Sequence, residues 1–309
     1  MPQRTLVIAN PRSRNGATGR RWRALEARLR DALGPLEVEH TSAPRDAERL
    51  AREGVRAGVD RLLVAGGDGT LSEVVTGLLA ADLADYVTIG LLPLGTGGDF
   101  VRSLGVPRDL AGALAHIVAG KTRKVDAGRV RFLGADGAER TAYFVNVASF
   151  GISGLTNELV NRTTKRFGGT VSFLIGTLRA IFQYRSEPVT IRVDGEVVHD
   201  GRLILATGAN GRYFGGGMRV APEAEIDDGL LDVVIIRDLP IRKLISKLPR
   251  IYAGTHLSDP AVVAHRGRVI EAVAEPGVVK LELDGEPLGT LPARYEVLPA
   301  ALRVFGPGG

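Results

Sequence analysis

Three short loops, rich in glycine and in side chains that bear hydroxyl, amide or carboxylate groups, hold the residues most able to do chemistry. They span residues 10–16, 66–70 and 93–99, and we call them the first, second and third loops. Each follows an apolar run typical of a buried strand. Glycine lets the backbone approach an oxyanion closely, and main-chain amides at a helix start favour negative charge. The loops therefore predict a site for a phosphorylated ligand.

The second loop, GGDGT, contains an aspartate, Asp68, where negative charge would repel a phosphate. A cation between the two groups removes the conflict, and Mg²⁺ with its bound waters suits this position. An ordinary turn aspartate between glycines is the alternative. Neither GxxxxGK[ST] nor GxGxxG, the standard nucleotide-loop spacings, occurs in the chain. Further candidates for hydrogen bonds to phosphate are the hydroxyls of Ser13, Thr41, Thr70 and Thr96.

The elements that must position these loops alternate between strand and helix over residues 1–120. Strand-like runs such as RTLVIAN and RLLVAGG are followed by helices predicted over RRWRALEARLRDALG and residues 43–57, 70–81 and 110–119. This alternation predicts βαβ units and a parallel sheet, whose strand ends bring the three loops to one edge. We expect an α/β domain with a Rossmann-like parallel sheet over residues 1–125.

The pattern changes after Lys121, where hairpin-like pairs of strands replace the alternation. Turns such as Asp194-Gly195 join short alternating runs, which indicates antiparallel pairing. We therefore expect a mainly antiparallel β-sandwich over residues 126–293, interrupted by helices near 156–184 and 240–254. The C-terminal tail, residues 294–309, is expected to pack back on the first domain.

Composition restricts the class of protein. The chain has no cysteine, which excludes disulfides, thiolate catalysis and cysteine-bound zinc and fits a cytoplasmic location. A net charge of +5 suits an anionic ligand or membrane surface, whereas 5% aromatic residues without interleaved basic ones argue against nucleic acid. The N-terminal apolar run is too short for a signal peptide, and we expect no transmembrane helix.

Several segments together resemble one enzyme family. GGDGTLSEVVTGL and PLGTGGDFVRSLG are similar to the nucleotide-binding signatures of the diacylglycerol kinase catalytic domain, found in soluble bacterial lipid kinases and sphingosine kinases. ATGANGRYFGGGMRVAPEAEIDDGLLDVVII and LELDGEP resemble later segments of the bacterial members. GGDGT alone is shared with NAD kinases and phosphofructokinases, whose fold the first domain is expected to share. The resemblance implies an ATP- and Mg²⁺-dependent kinase that phosphorylates the free hydroxyl of a diacylglycerol-like lipid.

The resemblance also implies roles for individual residues. Positions matching ATP contacts are Asn10, Pro11, Arg12, Ser13, Arg14, Thr41, Gly66, Gly67, Asp68, Gly69, Thr70, Glu73, Gly95 and Thr96. Catalytic positions are Asp68, Asp99, Arg102, Lys165, Asp284 and Glu286, of which the last two belong to the motif that supplies the general base. Magnesium positions are Asp68 and Asp126, with a second, structural site formed by Asp228 and the main-chain carbonyls of Glu225 and Leu230.

The chain departs from the family's usual Gly-Asn-Asp-Phe at Gly98, and from Asn-Glu-Val-Val-Asn at Ser72 and Thr76. Gly98 removes an amide side chain beside the γ-phosphate. Two alternative functions stand beside the lipid kinase: a soluble-metabolite kinase similar to NAD kinase, which shares GGDGT, and a nucleotide-binding regulator with weak or no catalysis, which the loss of the amide at Gly98 would allow. The Asp-Gly-Glu and Asp-Asp-Gly motifs also suit plain turns, and Lys165 suits a solvated helix start.

The lipid must be reached at a membrane surface, and two apolar segments with basic residues, 171–185 and 241–257, are candidates for that contact. The alternative is that their apolar residues belong to the core. The expected location is the cytoplasm, with peripheral binding at the inner membrane face. A homodimer is supported only by the frequency of dimers in the family, and no motif identifies the lipid.

Overall fold

The computed structural model describes residues 3–134, 136–156 and 179–307. The chain divides into two compact units, Met1–Val125 with Ala300–Gly309, and Asp126–Pro299. The first unit alternates strands with helices, and the second is rich in strands. The predicted combination of an α/β domain with a β-rich domain is confirmed.

Four strands form the centre of the first unit: β1 (Thr5–Ala9), β2 (Glu37–His40), β3 (Arg61–Gly66) and β4 (Thr88–Pro93). They pair in parallel in the order β2–β1–β3–β4. Near the C-terminus, Arg303 and Val304 pair in parallel with β4 on its other side. Strands β1, β3 and β4 are buried almost throughout, as expected for parallel strands covered on both faces.

The helices of the first unit are α1 (Ala17–Arg20), α2 (Trp22–Leu33), α3 (Asp46–Arg56), α4 (Asp68–Leu79), α5 (Asp99–Leu104) and α6 (Leu110–Ala119). The α6 bounds are those predicted, because the Asp109 side chain accepts the Gly112 N–H at its start and Gly120 ends it with a φ of 67°. Helix α4 begins two residues earlier than predicted, at Asp68. Helices α1 and α5 are too short to show a period in the sequence and were not predicted.

The strands of the second unit are β5 (Thr122–Leu133), β6 (Glu139–Phe144), β7 (Val147–Gly151), β8 (Glu187–Val193), β9 (Glu196–Ala209), β10 (Leu231–Arg237), β11 (Val262–Gly267), β12 (Val269–Val273), β13 (Lys280–Leu283) and β14 (Glu286–Phe305). β7 pairs with β9 and β13, β9 with β8 and β10, and β12 with β8 and β14, all antiparallel. Phe150 and Tyr295 stack in the core of this unit, with ring centroids 6.1 Å apart.

Residues 293–296 of β14 pair with β12, and the first unit includes the C-terminal tail from Ala300, whereas the sequence-based expectation started the tail at Arg294. The predicted second helical segment is α7 (Ile241–Ala253). The other predicted helical segment, near 156–184, lies largely outside the described residues. The described residues on either side of that gap are helical at 152–156 and 179–183. Within the described part, no helix combines the length and apolar character needed to cross a membrane.

Candidate functional site

The second and third loops contact each other backbone to backbone at the carboxyl ends of β3 and β4. The Leu94 N–H donates to the Gly66 carbonyl at 3.1 Å. A methyl group on Gly95 would lie 2.3 Å from the Gly67 Cα, and one on Gly66 would lie 2.5 Å from the Thr70 Oγ1. Glycine at position 95 is therefore needed for the two loops to touch, and glycine at position 66 leaves room for the Thr70 side chain. Sequence reasoning, which assigned both glycines only to phosphate, missed these roles.

Asp68 joins the start of α4 to the start of α5. Its carboxylate accepts the N–H groups of Gly98, Asp99 and Phe100 at 2.7, 3.1 and 3.3 Å. A methyl group on Gly97 would lie 2.5 Å from the Asp68 Oδ2, so glycine there gives the carboxylate its room. A carboxylate has about four lone-pair sites, three of which these amides occupy. The sequence did not predict this bracing role, and it leaves little of the carboxylate for direct metal coordination.

The first loop is tied to both of the others. Asn10 donates from Nδ2 to the Thr70 Oγ1 at 3.2 Å. Arg14 donates from Nε to the Gly95 carbonyl at 3.1 Å, and the Thr18 hydroxyl donates to the Leu94 carbonyl at 3.3 Å. The predicted meeting of the three loops at one sheet edge is confirmed by these bonds.

A pocket opens where the loops meet, and loop backbone, two arginines and an apolar floor line it. Its lining residues are Arg14, Val64, Gly66, Gly67, Asp68, Leu71, Leu91, Leu92, Pro93, Gly95, Gly97, Gly98, Val101 and Arg108. The guanidinium of Arg108 donates from Nη2 to the Gly97 carbonyl at 2.9 Å. Exposed glycine backbone with two guanidinium groups suits an anion. Arg108 was missed because it stands in no recognisable motif.

Other predicted nucleotide contacts have structural partners in this unit. Thr41 follows β2, and its N–H donates to the Ala9 carbonyl at 2.9 Å, which places it at the same sheet edge. Glu73 accepts the Ala47 N–H through Oε2 at 3.1 Å and so braces the first turn of α3. Pro11, Arg12, Ser13, Gly69 and Thr96 lie on the loops but are not among the lining residues.

Asp99 and Arg102 lie one turn apart on α5. The Arg102 Nη1 is 3.7 Å from the Asp99 Oδ1, and Asp99 is buried. The two predicted catalytic charges therefore offset each other in this structure. Lys165, the remaining basic residue predicted to be catalytic, lies outside the described residues.

Asp284, in the second unit, forms the turn between β13 and β14 with a φ of 48°. Its carboxylate accepts the N–H groups of Val145, Asn146 and Val147, each at 3.0 Å. It thus fixes the segment that leads into β7. The Asp-Gly-Glu motif therefore forms a turn, as its alternative interpretation predicted. Glu286 is the exposed carboxylate of the motif.

Glu282, two residues earlier, was not predicted to be special. It is fully buried on β13, where its Oε1 accepts the Ser149 hydroxyl at 2.6 Å. The Ser149 Oγ is in turn 2.9 Å from the Ser153 Oγ. Burial raises the pKa of Glu282 to about 7, the Ser149 hydrogen bond opposes that rise, and the nearby carboxylates of Asp284 and Glu286 add to it. No pattern in the sequence predicts this burial, because the neighbouring Ser149 belongs to the distant strand β7.

The proposed magnesium ligands of the second unit lie around one turn. The buried Asp126 accepts the Gly229 N–H through Oδ2 at 2.7 Å. The Asp228 Oδ1 accepts the Leu230 N–H at 3.0 Å, and its Oδ2 lies 3.6 Å from the Arg266 Nη2. Within the described ranges, no three His, Cys, Asp or Glu side chains are grouped to hold a metal ion. The proposed metal ligands are all oxygen atoms, which Mg²⁺ prefers. The Arg266 guanidinium, however, would compete with a metal ion for the Asp228 carboxylate.

Helix α7 was one of the two candidate membrane segments. Its Leu244 and Ile251 are buried, and Lys247 and Arg250 both pair with the buried Asp259. Half of the basic residues that suggested a membrane face are thus engaged inside the unit. In the other segment, Phe182 is 66% exposed, while residues 171–178 lie outside the described part.

The comparisons with known proteins agree across both units. Residues 4–130 match the diacylglycerol kinase catalytic domain, and residues 146–306 match the YegS C-terminal NAD kinase beta sandwich-like domain. A diacylglycerol kinase of Mycobacterium tuberculosis (strain ATCC 25618 / H37Rv) is 32% identical over 308 residues, covering 98% of this chain and 95% of the relative. A YegS-like lipid kinase of Xanthomonas euvesicatoria pv. vesicatoria is 35% identical over 292 residues, covering 91% and 92%.

Solved structures show the same architecture. A diacylglycerol kinase from Bacillus anthracis str. Sterne superposes with a TM-score of 0.76 at 26% identity, covering 99% of this chain and 97% of the other. Yeast NADH kinase, crystallised with NADH, reaches a TM-score of 0.58 at 12% identity, covering 100% and 84%. At that identity the second likeness concerns the fold alone.

Proposed function

The chain belongs to the diacylglycerol kinase catalytic-domain family of lipid kinases, and we propose that it transfers the γ-phosphate of ATP to the free hydroxyl of a diacylglycerol-like lipid. The product is phosphatidic acid or an analogue. The observation that carries the proposal is the pocket formed by the three loops, with glycine backbone and the guanidinium of Arg14 at its surface.

The nucleotide phosphates are assigned to the pocket because it offers the groups that bind oxyanions. The second and third loops contribute glycines to the pocket lining, and Arg14 adds a charged donor held by the Gly95 carbonyl. We keep Asn10, Thr41 and the other loop residues as ATP contacts. Glu73 is assigned to bracing α3 instead, since its carboxylate already accepts a main-chain N–H.

Mg²⁺ is proposed to accompany ATP, where it would neutralise charge on the transferring phosphoryl group. Asp68 would hold it through water, because its carboxylate already accepts main-chain N–H groups. Asp126, whose carboxylate accepts the Gly229 N–H, is kept as a proposed magnesium ligand on the strength of the resemblance. Arg102 is proposed to add positive charge at the same phosphoryl group. The structural site at Asp228, Glu225 and Leu230 stays a proposal, supported by its oxygen donors and opposed by Arg266.

The acceptor hydroxyl must lose a proton, which the Asp284–Glu286 motif is proposed to take. Asp284 positions the motif through three main-chain bonds, and Glu286 is the carboxylate on the exposed side of the turn. Lys165 is kept as a proposed catalytic residue on the strength of the resemblance.

The lipid is proposed to be met by peripheral binding at the inner membrane face, with the protein otherwise in the cytoplasm. Ile241, 40% exposed, lies beside Arg242 and Lys243 at the start of α7 and is the best-placed contact. Sedimentation with vesicles that contain anionic lipid should deplete the protein from the supernatant, and failure to do so rejects this contact. Light scattering after gel filtration tests the proposed homodimer, which a monomer mass rejects.

The activity itself is tested by transfer of label from radioactive ATP to diacylglycerol, ceramide, a sphingoid base, phosphatidylglycerol and NAD. We expect labelled diacylglycerol, or another labelled lipid of that panel, only when Mg²⁺ is present. Label on NAD alone would overturn the lipid assignment in favour of a soluble-metabolite kinase. No label on any acceptor, with ATP still bound, would support a nucleotide-binding regulator.

A further inference from the structure

Gly98 and Arg108 lie together at the edge of the nucleotide pocket. Gly98 precedes α5 with a left-handed φ of 73° and has no side chain to offer a ligand. A methyl group there would lie 3.7 Å from the Arg108 Nε, and apart from the chain neighbours of Gly98 no other heavy atom of the described residues would lie within 4 Å. The side of the third loop that Gly98 leaves bare therefore faces a guanidinium.

The position of Arg108 is set by its surroundings. Its Nη2 donates to the Gly97 carbonyl at 2.9 Å, which uses one of the five N–H donors of a guanidinium. The next residue, Asp109, caps α6 by accepting the Gly112 N–H, so the adjacent carboxylate is directed to the helix start. The backbone that follows Arg108 is thus anchored at the start of α6, and the cation borders the pocket with Arg14.

We propose that Arg108 is a second cationic contact for the phosphates of the bound nucleotide, on the side of the third loop where Gly98 has no side chain. This inference rests on the proposed function, because it presupposes that ATP occupies the pocket. A guanidinium suits the role, since it presents several donors to phosphate oxygens in a fixed geometry. The family usually has an amide side chain on this loop. In this chain the guanidinium of Arg108, six residues after Arg102, takes its place.

The test is calorimetric titration of the whole protein with ATP, ADP and AMP. Arg108→Ala should weaken ATP binding about 10-fold, as expected for the loss of one charged hydrogen bond, with a smaller effect on AMP. Arg108→Lys should recover part of the affinity, because it keeps the charge. Arg28→Ala is the matched control, since it removes the same charge from the exposed face of α2, away from the pocket lining.

Arg108→Gln separates binding from bracing. Glutamine keeps an N–H donor for the Gly97 carbonyl and loses the charge, so the proposal expects it to bind ATP as weakly as the alanine variant. Wild-type affinity in Arg108→Gln, or an equal loss for AMP and ATP, would show that Arg108 only holds the loop. All variants should unfold at the wild-type temperature.

The two levels of the argument fail separately. If the wild-type protein binds ATP and phosphorylates lipid while Arg108→Ala retains full affinity, the inference about Arg108 is wrong and the proposed function stands. If the wild-type protein does not bind ATP, both are overturned.

Discussion

Glu282 should make the second unit less stable as the pH rises through neutrality. The carboxyl is fully buried and its pKa is raised to about 7, from 4.5 for an exposed glutamate, mainly because burial disfavours the charged form. Replacement by glutamine keeps the shape and a hydrogen-bonding group for Ser149, and it removes the titration.

The sign follows from where the proton is bound. Below pH 4.5 both the folded and the unfolded chain hold it, so pH has no effect through this group. Between pH 4.5 and about 7 only the folded chain holds it, and stability falls by about 1.4 kcal/mol per pH unit. The stabilisation that the neutral Glu282 side chain contributes is therefore fully present below the pKa of Glu282 in the unfolded chain. It is lost as the pH rises through the pKa of Glu282 in the folded chain. Between pH 5 and pH 8 the loss amounts to about 2–3 kcal/mol.

Urea denaturation followed by far-UV circular dichroism measures this loss. The free energy of unfolding of the wild-type protein minus that of Glu282→Gln should fall by about 2–3 kcal/mol from pH 5 to pH 8. Taking the difference at each pH cancels the groups common to both proteins. Parallel pH profiles for the two proteins would refute the reasoning, since they would mean that Glu282 is charged in the folded state at pH 5.

Four further substitutions test the roles assigned to single residues. Asp68→Ala should abolish phosphoryl transfer and lower stability by about 1–2 kcal/mol, because three amides lose their acceptor; near-normal turnover would contradict its proposed role. Gly95→Ala should cost about 1–3 kcal/mol and weaken ATP binding, since its methyl group meets the backbone of Gly67 at 2.3 Å; unchanged melting temperature and affinity would show that the loops part freely. Asp284→Ala should destabilise the second unit by about 2–3 kcal/mol, whereas Glu286→Ala should leave stability within about 0.5 kcal/mol and still abolish transfer. Equal stability losses in these two variants, measured by thermal unfolding, would contradict the division between positioning and proton transfer.

The meeting of the three loops could be predicted from the sequence, because it follows from general properties of parallel sheets. Buried strands alternate with amphipathic helices, and a loop after each strand must lie at the carboxyl edge. The α6 helix was predicted to the residue, since Asp109 and Gly120 mark its ends chemically. Signals of this kind can be recognised because they lie within a few residues of the helix end that they determine.

The contacts within the site could not be predicted, because they join distant parts of the chain. Asp68 meets amides 30–32 residues later, and the choice between turn, metal ligand and helix cap depends on how two loops pack. Glu282 is buried by β7, more than 130 residues earlier, although an acidic residue on a short strand suggests a solvent-facing position. Arg108 has no motif, and its place at the pocket depends on its hydrogen bond to the Gly97 carbonyl and its approach to Gly98.

The pairing of Arg303 and Val304 with β4 has a consequence for synthesis on the ribosome. β4 is complete at Pro93, yet its outer neighbour is translated roughly 200 residues later, which takes about 10–40 s at typical elongation rates. During that interval the nascent first unit carries an open strand edge, the kind of surface that pairs with other chains. A fragment that ends at Val125 would keep that edge permanently, so we expect the isolated N-terminal region to aggregate.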